Sequence, residues 1–188
     1  KLIPVVSSQR TLKIICKKWK KDFDRLPDAV IVEGMQAGGH LGYSLEQLKE
    51  NTPTLDESLA DILRFTKELP KKVPVIVAGG IFSGQEMAHY INAGADGVQM
   101  ATRFVCTDEC DVDIKFKQAY INARGPEDIT IIKSPVGLPG RVIKNEFVEK
   151  TNNGHKIPFK CKYRCLKTCN PTEAPYCIAD VLARAARG

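Results

Sequence analysis

Four short and continuously apolar runs divide the first part of the chain. They are LIPVV at residues 2–6, AVIVE at 29–33, VPVIVA at 73–78 and GVQMATRF at 97–104. A strand that is buried on both faces has apolar side chains at successive positions, whereas a half-exposed strand alternates apolar with polar residues. The runs therefore predict four strands of a buried parallel sheet.

Helical patterns separate these runs. The segment KIICKKWKKDFDR at 13–25 has apolar residues at helical spacing among its lysines. Capping boxes at 54–57 and 83–86 indicate the starts of two further helices. Strands that alternate with helices predict an α/β fold with a parallel sheet, either open and doubly wound or closed as a barrel. No GxGxxG motif follows the first strand, which disfavours a dinucleotide-binding doubly wound fold.

The pattern changes after residue 104. Helices are predicted at 112–125, 141–150 and 174–188, a short strand at 128–133, and loops at 134–140 and 151–159. We therefore divide the chain into residues 1–104, with four β/α units, and residues 105–188, a mostly helical accessory region with a cysteine cluster.

Composition and charge limit the class of protein. The 188 residues are 43% apolar, which is enough for a folded core. No run approaches the roughly 20 apolar residues of a membrane span, and no secretory pattern is present. The net charge of +6 comes without a second basic stripe, so neither a membrane nor a nucleic acid is an expected partner. We expect a cytoplasmic protein, and because Lys1 directly precedes an apolar run, a segment of a longer one.

Two turns with candidate anion-binding groups follow adjacent predicted strands. Gly79 and Gly80 come directly after the run at 73–78, and Ser83 opens the next helix. Glycine lets a backbone approach a ligand closely, and unpaired N–H groups at a helix start favour an anion. Ala101 and Thr102 follow the next strand, so in a barrel the two turns would form a phosphate site. Either turn taken alone is more typical of a tight strand-to-helix connection.

Three motifs give the chain a resemblance to a known family. EGMQAGGHLG at 33–42, PVIVAGGIFSG at 74–84 and GADGVQMATRF at 94–104 resemble the nitronate monooxygenases, formerly called 2-nitropropane dioxygenases. Flavin-dependent enoyl-acyl-carrier-protein reductases share these motifs. The resemblance covers residues 1 to about 150. It implies the C-terminal half of an FMN-binding TIM (β/α)8 barrel, with an added mostly helical C-terminal region, and the first barrel half would lie outside this chain.

The resemblance also implies roles for individual residues. The FMN phosphate would be held by residues of the two turns, namely Gly79, Gly80, Ala101 and Thr102. Gly38 and Gly39 would lie near the flavin ring, and His40 matches the family's active-site histidine. The family usually has glycine at the position of Ala101, so the methyl group narrows the closest approach of the backbone there.

His40 is the candidate catalytic residue. An imidazole titrates near neutral pH, so it can remove the proton next to a nitro group or hold an anionic nitronate. The implied activity is oxidation of a small nitronate or nitroalkane with O2, by an enzyme that can be a homodimer. The alternative is an enoyl thioester reductase that uses NAD(P)H, in which His40 would orient the thioester carbonyl. A third interpretation is a binding or scaffold protein in which the barrel half has lost its chemistry. Separately, His40 can be a histidine that only caps a loop.

Seven cysteines, an odd number, argue against a disulfide scaffold. Four of them cluster late in the chain, at Cys161, Cys165, Cys169 and Cys177. Three could align on one helical face, but the spacings differ from the C-x2-C pairs that are usual in zinc and iron–sulfur sites. We therefore expect reduced thiols and no metal.

Three further ionisable residues have weaker signals. Glu33 ends the second apolar run, where its carboxyl can face the site or bond a neighbouring loop. His89 lies in a predicted helix and His155 in a polar loop, and neither has a partner pattern. We expect both histidines to be exposed or packing residues.

Overall fold

The chain folds into two compact units. The computed structural model describes residues 1–50, 53–162 and 164–188. Unit 1 consists of residues 1–37 and 42–101, and unit 2 of residues 38–41 and 102–188. The domain boundary after residue 104 stays a prediction.

The described residues form seven strands and eight α-helices. The strands are β1 (Val5–Val6), β2 (Val30–Glu33), β3 (Gly39–His40), β4 (Val75–Ala78), β5 (Gly97–Gln99), β6 (Ile129–Lys133) and β7 (Pro139–Ile143). The α-helices are α1 (Gln9–Phe23), α2 (Leu45–Glu50), α3 (Leu55–Thr66), α4 (Gly84–Asn92), α5 (Thr102–Val105), α6 (Ile114–Asn122), α7 (Glu146–Asn152) and α8 (Ile178–Arg187). A 3-10 turn spans Pro126–Asp128.

The sheet of unit 1 is parallel, with the strand order β1-β2-β4-β5. Its register places Val5, Ile31, Ile76 and Gly97 in one row across the strands. Parallel neighbours require a crossover, and helices α1, α3 and α4 lie in the three connections. The predicted α/β class with a parallel sheet is confirmed.

Alternate strand positions supply the core of unit 1. Successive side chains of a strand point to opposite faces of the sheet. One face therefore packs on helices, while Ile31 and Ile76 lie on the other face. The buried cluster on the helical side includes Leu12 of α1, Leu59 and Ile62 of α3, and Val30, Val32, Val75 and Val77 of the sheet. Each such side chain stabilises the fold by about 1.5–3 kcal/mol when fully buried.

Polar side chains fix the starts of the unit 1 helices. The Ser8 hydroxyl accepts a hydrogen bond from the backbone N–H of Thr11 at 3.3 Å, so α1 begins before the predicted segment. The capping boxes at 54–57 and 83–86 both form as predicted, with the side chain and backbone bonds reciprocated. Both capping boxes are therefore confirmed. They could be predicted from the sequence because the bonded residues are only three positions apart.

The fourth predicted strand is shorter than its apolar run. β5 ends at Gln99, and residues 102–105 form helix α5 instead of continuing the strand. The ladder stops because β4 ends at Ala78 and turns at Gly79, whose φ angle is 97°. Residues beyond Gln99 therefore have no β4 residue with which to pair.

Unit 2 contains an antiparallel sheet with the strand order β3-β7-β6. The helix predicted at 141–150 was wrong over its first part, since residues 139–143 form β7 and α7 begins only at Glu146. Val142 and Ile143 are β-branched and pair with β6 across a hairpin, and this pairing outweighs a helical pattern of a few residues. Helices α6 and α8 lie within predicted helical segments. No helix in the described part of the chain is long and apolar enough to cross a bilayer.

Candidate active site

Three strands of unit 1 end side by side. Glu33 of β2 is paired with Ala78 of β4, and Ala78 is paired with Gln99 of β5. The turns that follow these residues start at one edge of the sheet. Parallel β/α proteins bind ligands at the carboxyl ends of their strands, so this edge is a candidate ligand site.

The turn after β4 depends on two glycines. Gly79 and Gly80 have φ angles of 97° and 82°, which glycine adopts at no steric cost. A Cβ atom on Gly79 would lie 2.9 Å from the carbonyl oxygen of Gly34 and 3.1 Å from the backbone nitrogen of Ala37. The turn packs against the loop after β2, so this contact alone already requires glycine at position 79.

Backbone N–H groups of these turns are available to a ligand. Within the described residues, the N–H groups of Gly79, Gly80 and Ala101 donate to no other group. They belong to the turns after two neighbouring strands of one sheet, β4 and β5. Unpaired amides at such turns can bind an anion, and these three residues fit the phosphate end of a flavin nucleotide.

The start of helix α4 carries the predicted capping box. The Glu86 carboxylate accepts hydrogen bonds from the backbone N–H groups of Phe82 at 3.0 Å and Ser83 at 2.8 Å. These bonds hold the pKa of Glu86 below its ordinary value. An anion at this helix start would therefore meet the Glu86 carboxylate.

Residues 38–41 belong to unit 2, and Gly39–His40 form its edge strand β3. His40 is paired with Gly140 of β7. The backbone N–H of Leu41 donates to the carbonyl oxygen of Pro139 at 2.9 Å. The predicted catalytic residue therefore lies on a sheet, and its backbone position is fixed by a hairpin distant in the sequence.

A buried serine lies against the His40 ring. Ser134 Oγ is 2.7 Å from His40 Nε2, and only 3% of Ser134 is exposed. The turn after β6 fixes the serine, because its backbone N–H donates to the carbonyl oxygen of Leu138 and its carbonyl accepts from Gly137, both at 3.0 Å. The hydroxyl therefore holds the imidazole in one orientation.

The bond between these side chains permits two proton arrangements. If Nε2 carries the proton, it donates to Ser134 Oγ, and Nδ1 has a lone pair that can accept a proton. If Ser134 donates to Nε2, Nδ1 carries the proton and can donate to an anion. The same ring can therefore act as a base toward a carbon acid or as a donor toward an anionic substrate.

Glu33 and Tyr43 interact at the carboxyl end of β2 in unit 1. The buried Tyr43 hydroxyl donates to the backbone oxygen of Glu33 at 2.8 Å. Burial raises the pKa of the Glu33 carboxyl. Burial and then the Glu33 charge raise the pKa of Tyr43. A half-buried carboxyl with a raised pKa at the ligand edge of a sheet is a candidate proton carrier.

The other two histidines have partners away from Ser134. His89 Nε2 of α4 is 2.5 Å from Asp56 Oδ1 of α3, beside a cavity of about 310 Å3 in unit 1. His155 Nδ1 is 3.1 Å from the carbonyl oxygen of Lys150. Both histidines are exposed as expected, but the Asp56 partner has no local sequence signal.

The cysteines are free thiols. Partial burial and then the charges of Cys161, Cys165 and Cys177 raise the pKa of the Cys169 thiol. In the described part of the chain, no group of three or more His, Cys, Asp or Glu side chains is arranged around a metal position.

The predicted site residues are divided between the units. Unit 1 contains Gly79, Gly80 and Ala101, and unit 2 contains Gly38, Gly39, His40 and Thr102. Ser134 is the candidate that sequence reasoning missed. It lies in a segment that reads only as a loop, 94 residues from His40, and no local pattern could have indicated this contact.

A protein family matches the chain along nearly its whole length, and individual relatives match about two thirds of it. A family model described as nitronate monooxygenase matches residues 1–187. A "Probable nitronate monooxygenase" of Staphylococcus saprophyticus is 34% identical over 66% of this chain and 34% of its own length. An octahydroindene-carboxyl-CoA dehydrogenase of Mycobacterium tuberculosis is 36% identical over 69% of this chain and 33% of its own length. The chain thus spans about a third of these curated relatives.

A solved structure gives the same result for the fold. FabK from Thermotoga maritima matches with a TM-score of 0.61 and 33% identity, over 81% of this chain and 42% of that chain. The predicted fold class, part of a (β/α)8 barrel with a C-terminal region that includes helices, is confirmed.

Proposed function

This chain belongs to the nitronate monooxygenase family, and we propose that it is part of an FMN-dependent enzyme that oxidises alkyl nitronates with O2. The observation that carries the proposal is the contact between His40 and the buried Ser134, 2.7 Å from Nε2 to Oγ. A histidine held by a buried hydroxyl has a fixed orientation, which proton transfer to or from a substrate carbon requires.

Four glycines, together with Ala101 and Thr102, are the residues that we propose for flavin binding. The phosphate would lie against the backbone N–H groups of Gly79, Gly80 and Ala101, which are unpaired in unit 1. Thr102 would add a further contact to the phosphate. Gly38 and Gly39 would lie beside the ring, because no atom stands within 4 Å of a Cβ built on either residue. When bound, FMN would supply electron transfer from the substrate to O2.

His40 would act at the reacting carbon of the substrate. With its proton on Nε2 and donated to Ser134, His40 would accept the α-proton of a neutral nitroalkane at Nδ1. With its proton on Nδ1, it would donate to an oxygen of an anionic nitronate. Both substrates are small molecules, and the proposed enzyme acts in the cytoplasm.

The second candidate function is reduction of an enoyl thioester with NAD(P)H. The likeness to FabK, at 33% identity and a TM-score of 0.61, supports this alternative. The Mycobacterium relative is named as a carboxyl-CoA dehydrogenase, and acyl-CoA compounds are thioesters, so this likeness also supports a thioester substrate. Stopped-flow mixing of the FMN-loaded, full-length enzyme with a nitronate and separately with NADPH distinguishes the two. Rapid flavin reduction by NADPH and none by the nitronate would favour the reductase.

Replacement of His40 tests the proposed chemistry. His40→Ala should leave FMN bound, because the phosphate contacts come from other residues. Turnover of a neutral nitroalkane should fall by the ~10²–10⁴-fold that a general base typically contributes. Turnover of a preformed nitronate should fall less, since it needs no proton removal.

His155→Ala is the matched control, since that exposed histidine bonds the carbonyl oxygen of Lys150 and has no role in the proposed chemistry. It should retain turnover on both substrates. Equal losses on the two substrates for His40→Ala would show that His40 orients the substrate and is not a base. If His40→Ala leaves flavin reduction unchanged with both substrates, another residue performs the chemistry.

A further inference from the structure

A long irregular loop in unit 2 carries most of the cysteine cluster. The loop, residues 158–174, is closed at its base by the Ile157 backbone N–H, which donates to the carbonyl oxygen of Pro175 at 2.7 Å. Its described residues form no helix or strand, so the thiols do not share a helical face. Loops beyond about 12–15 residues without secondary structure are uncommon in compact domains and are often functional.

The base of the loop is fixed by packing, whereas its far end is not. Tyr176 is buried beside the base and packs edge-to-face on Phe147, with 5.0 Å between ring centroids. In contrast, Leu166 within the loop is 48% exposed. The hydrophobic core of unit 2 therefore stabilises the base only, and the loop needs another source of order.

The thiols occupy positions that a metal could bring together. Cys161, Cys165 and Cys169 lie in the loop, and Cys177 follows its base directly. Three residues separate Cys161 from Cys165 and Cys165 from Cys169, a spacing within the two-to-four range of structural zinc sites.

The charge of the loop is complementary to a metal–thiolate complex. Glu173 is the one acidic residue of the loop sequence, against the four basic residues Lys160, Lys162, Arg164 and Lys167. None of these cations forms an ion pair within the described residues. Zn2+ with four thiolates carries two net negative charges, which the unpaired cations would stabilise.

We propose that Cys161, Cys165, Cys169 and Cys177 form a structural tetrathiolate site for Zn2+ that orders this loop. Binding would form four Zn–S bonds and release the four thiol protons to solvent, without any redox change. Because no three ligand side chains already surround a metal position, the metal itself would draw the thiols together. C-x2-C pairs, on whose absence the expectation of a metal-free cluster was based, are not required, because structural zinc sites also have ligands with three residues between them.

Metal analysis of the full-length enzyme, purified anaerobically without added metal, tests the proposal. We expect about one zinc per chain in the wild type. Cys165→Ser and Cys169→Ser should lose it. Cys106→Ser and Cys110→Ser, which change free thiols of unit 2 outside the loop, should retain it.

Cobalt substitution gives a second measurement that does not depend on whether a variant folds. Wild-type protein stripped with a chelator and titrated with Co2+ should develop intense thiolate-to-metal charge-transfer bands and tetrahedral d–d bands, which saturate at one equivalent. Absence of both zinc and these bands would overturn the proposal. Iron with acid-labile sulfide in place of zinc, or zinc retained in both loop variants, would overturn it equally.

Discussion

Substitution of single glycines by alanine tests how the site is built. Gly79 combines a φ angle of 97° with a backbone oxygen 2.9 Å from a would-be Cβ. Gly39 has a φ angle of 76° and no atom within 4 Å of a Cβ, while Gly38 has neither constraint. The three positions therefore separate backbone conformation from steric contact.

The expected losses in the free energy of unfolding follow from these differences. A non-glycine residue in a sparsely populated conformation costs about 1–3 kcal/mol, which is the loss expected for Gly39→Ala. An overpacked contact costs typically about 1–3 kcal/mol more, so Gly79→Ala should lose about 2–6 kcal/mol in all. Gly38→Ala should be neutral or gain about 0.4–1 kcal/mol, because alanine restricts the unfolded chain.

Urea unfolding of the full-length protein without flavin, followed by far-ultraviolet circular dichroism, measures these differences. The unfolding midpoints should rank Gly38→Ala above Gly39→Ala above Gly79→Ala, with similar slopes. Equal midpoints for Gly79→Ala and Gly38→Ala would refute the close packing of the β4 turn on the loop after β2. A loss for Gly38→Ala as large as that for Gly39→Ala would refute the conformational argument.

Two further predictions concern side chains at the candidate site. Ser134→Ala should keep FMN bound. It should lower turnover of neutral nitroalkane by less than the ~10²–10⁴-fold expected for loss of the base, and it should shift the pH profile of kcat/KM. An unchanged pH profile would show that the hydroxyl does not act through His40. Because the pKa of Glu33 is raised, the folded state binds the proton of the Glu33 carboxyl more tightly than the unfolded state does. The proton therefore stabilises the fold at acid pH, and this stabilisation is lost as the pH rises through the folded-state pKa. Glu33→Gln should therefore raise the urea midpoint at pH 7 more than at pH 4, and an equal shift at both would contradict the assigned burial effect.

The sequence was sufficient for the features that depend on short-range patterns. Continuous apolar runs located the four parallel strands, and capping boxes located the starts of α3 and α4. The strand ends were less well defined, because the length of β5 depends on where β4 turns at Gly79. An apolar run indicates that a strand exists, but its partner determines how far it extends.

Contacts between distant segments could not be predicted from the sequence. The pairing of β3 with β7 joins residues 39–40 to residues 140–141. Residues 141–143, predicted as the start of a helix, are part of strand β7. The pairing also places the loop after β6, which contains Ser134, beside His40. Ser134 is therefore a site candidate only in the folded chain, since serine in a Pro- and Gly-containing loop is ordinary turn composition.

The Glu86 carboxylate limits where an anion can bind at the carboxyl edge of unit 1. A helix start attracts anions through its unpaired N–H groups and its dipole, but at α4 the Glu86 carboxylate already accepts from the N–H groups of Phe82 and Ser83. A phosphate beside that carboxylate would meet like charge. The amides of Gly79, Gly80 and Ala101 remain, and the positive φ angles of the two glycines belong to a turn whose N–H groups are not used by the helix. The phosphate contact that we propose therefore depends on turn conformation, and the methyl group of Ala101 leaves its N–H available.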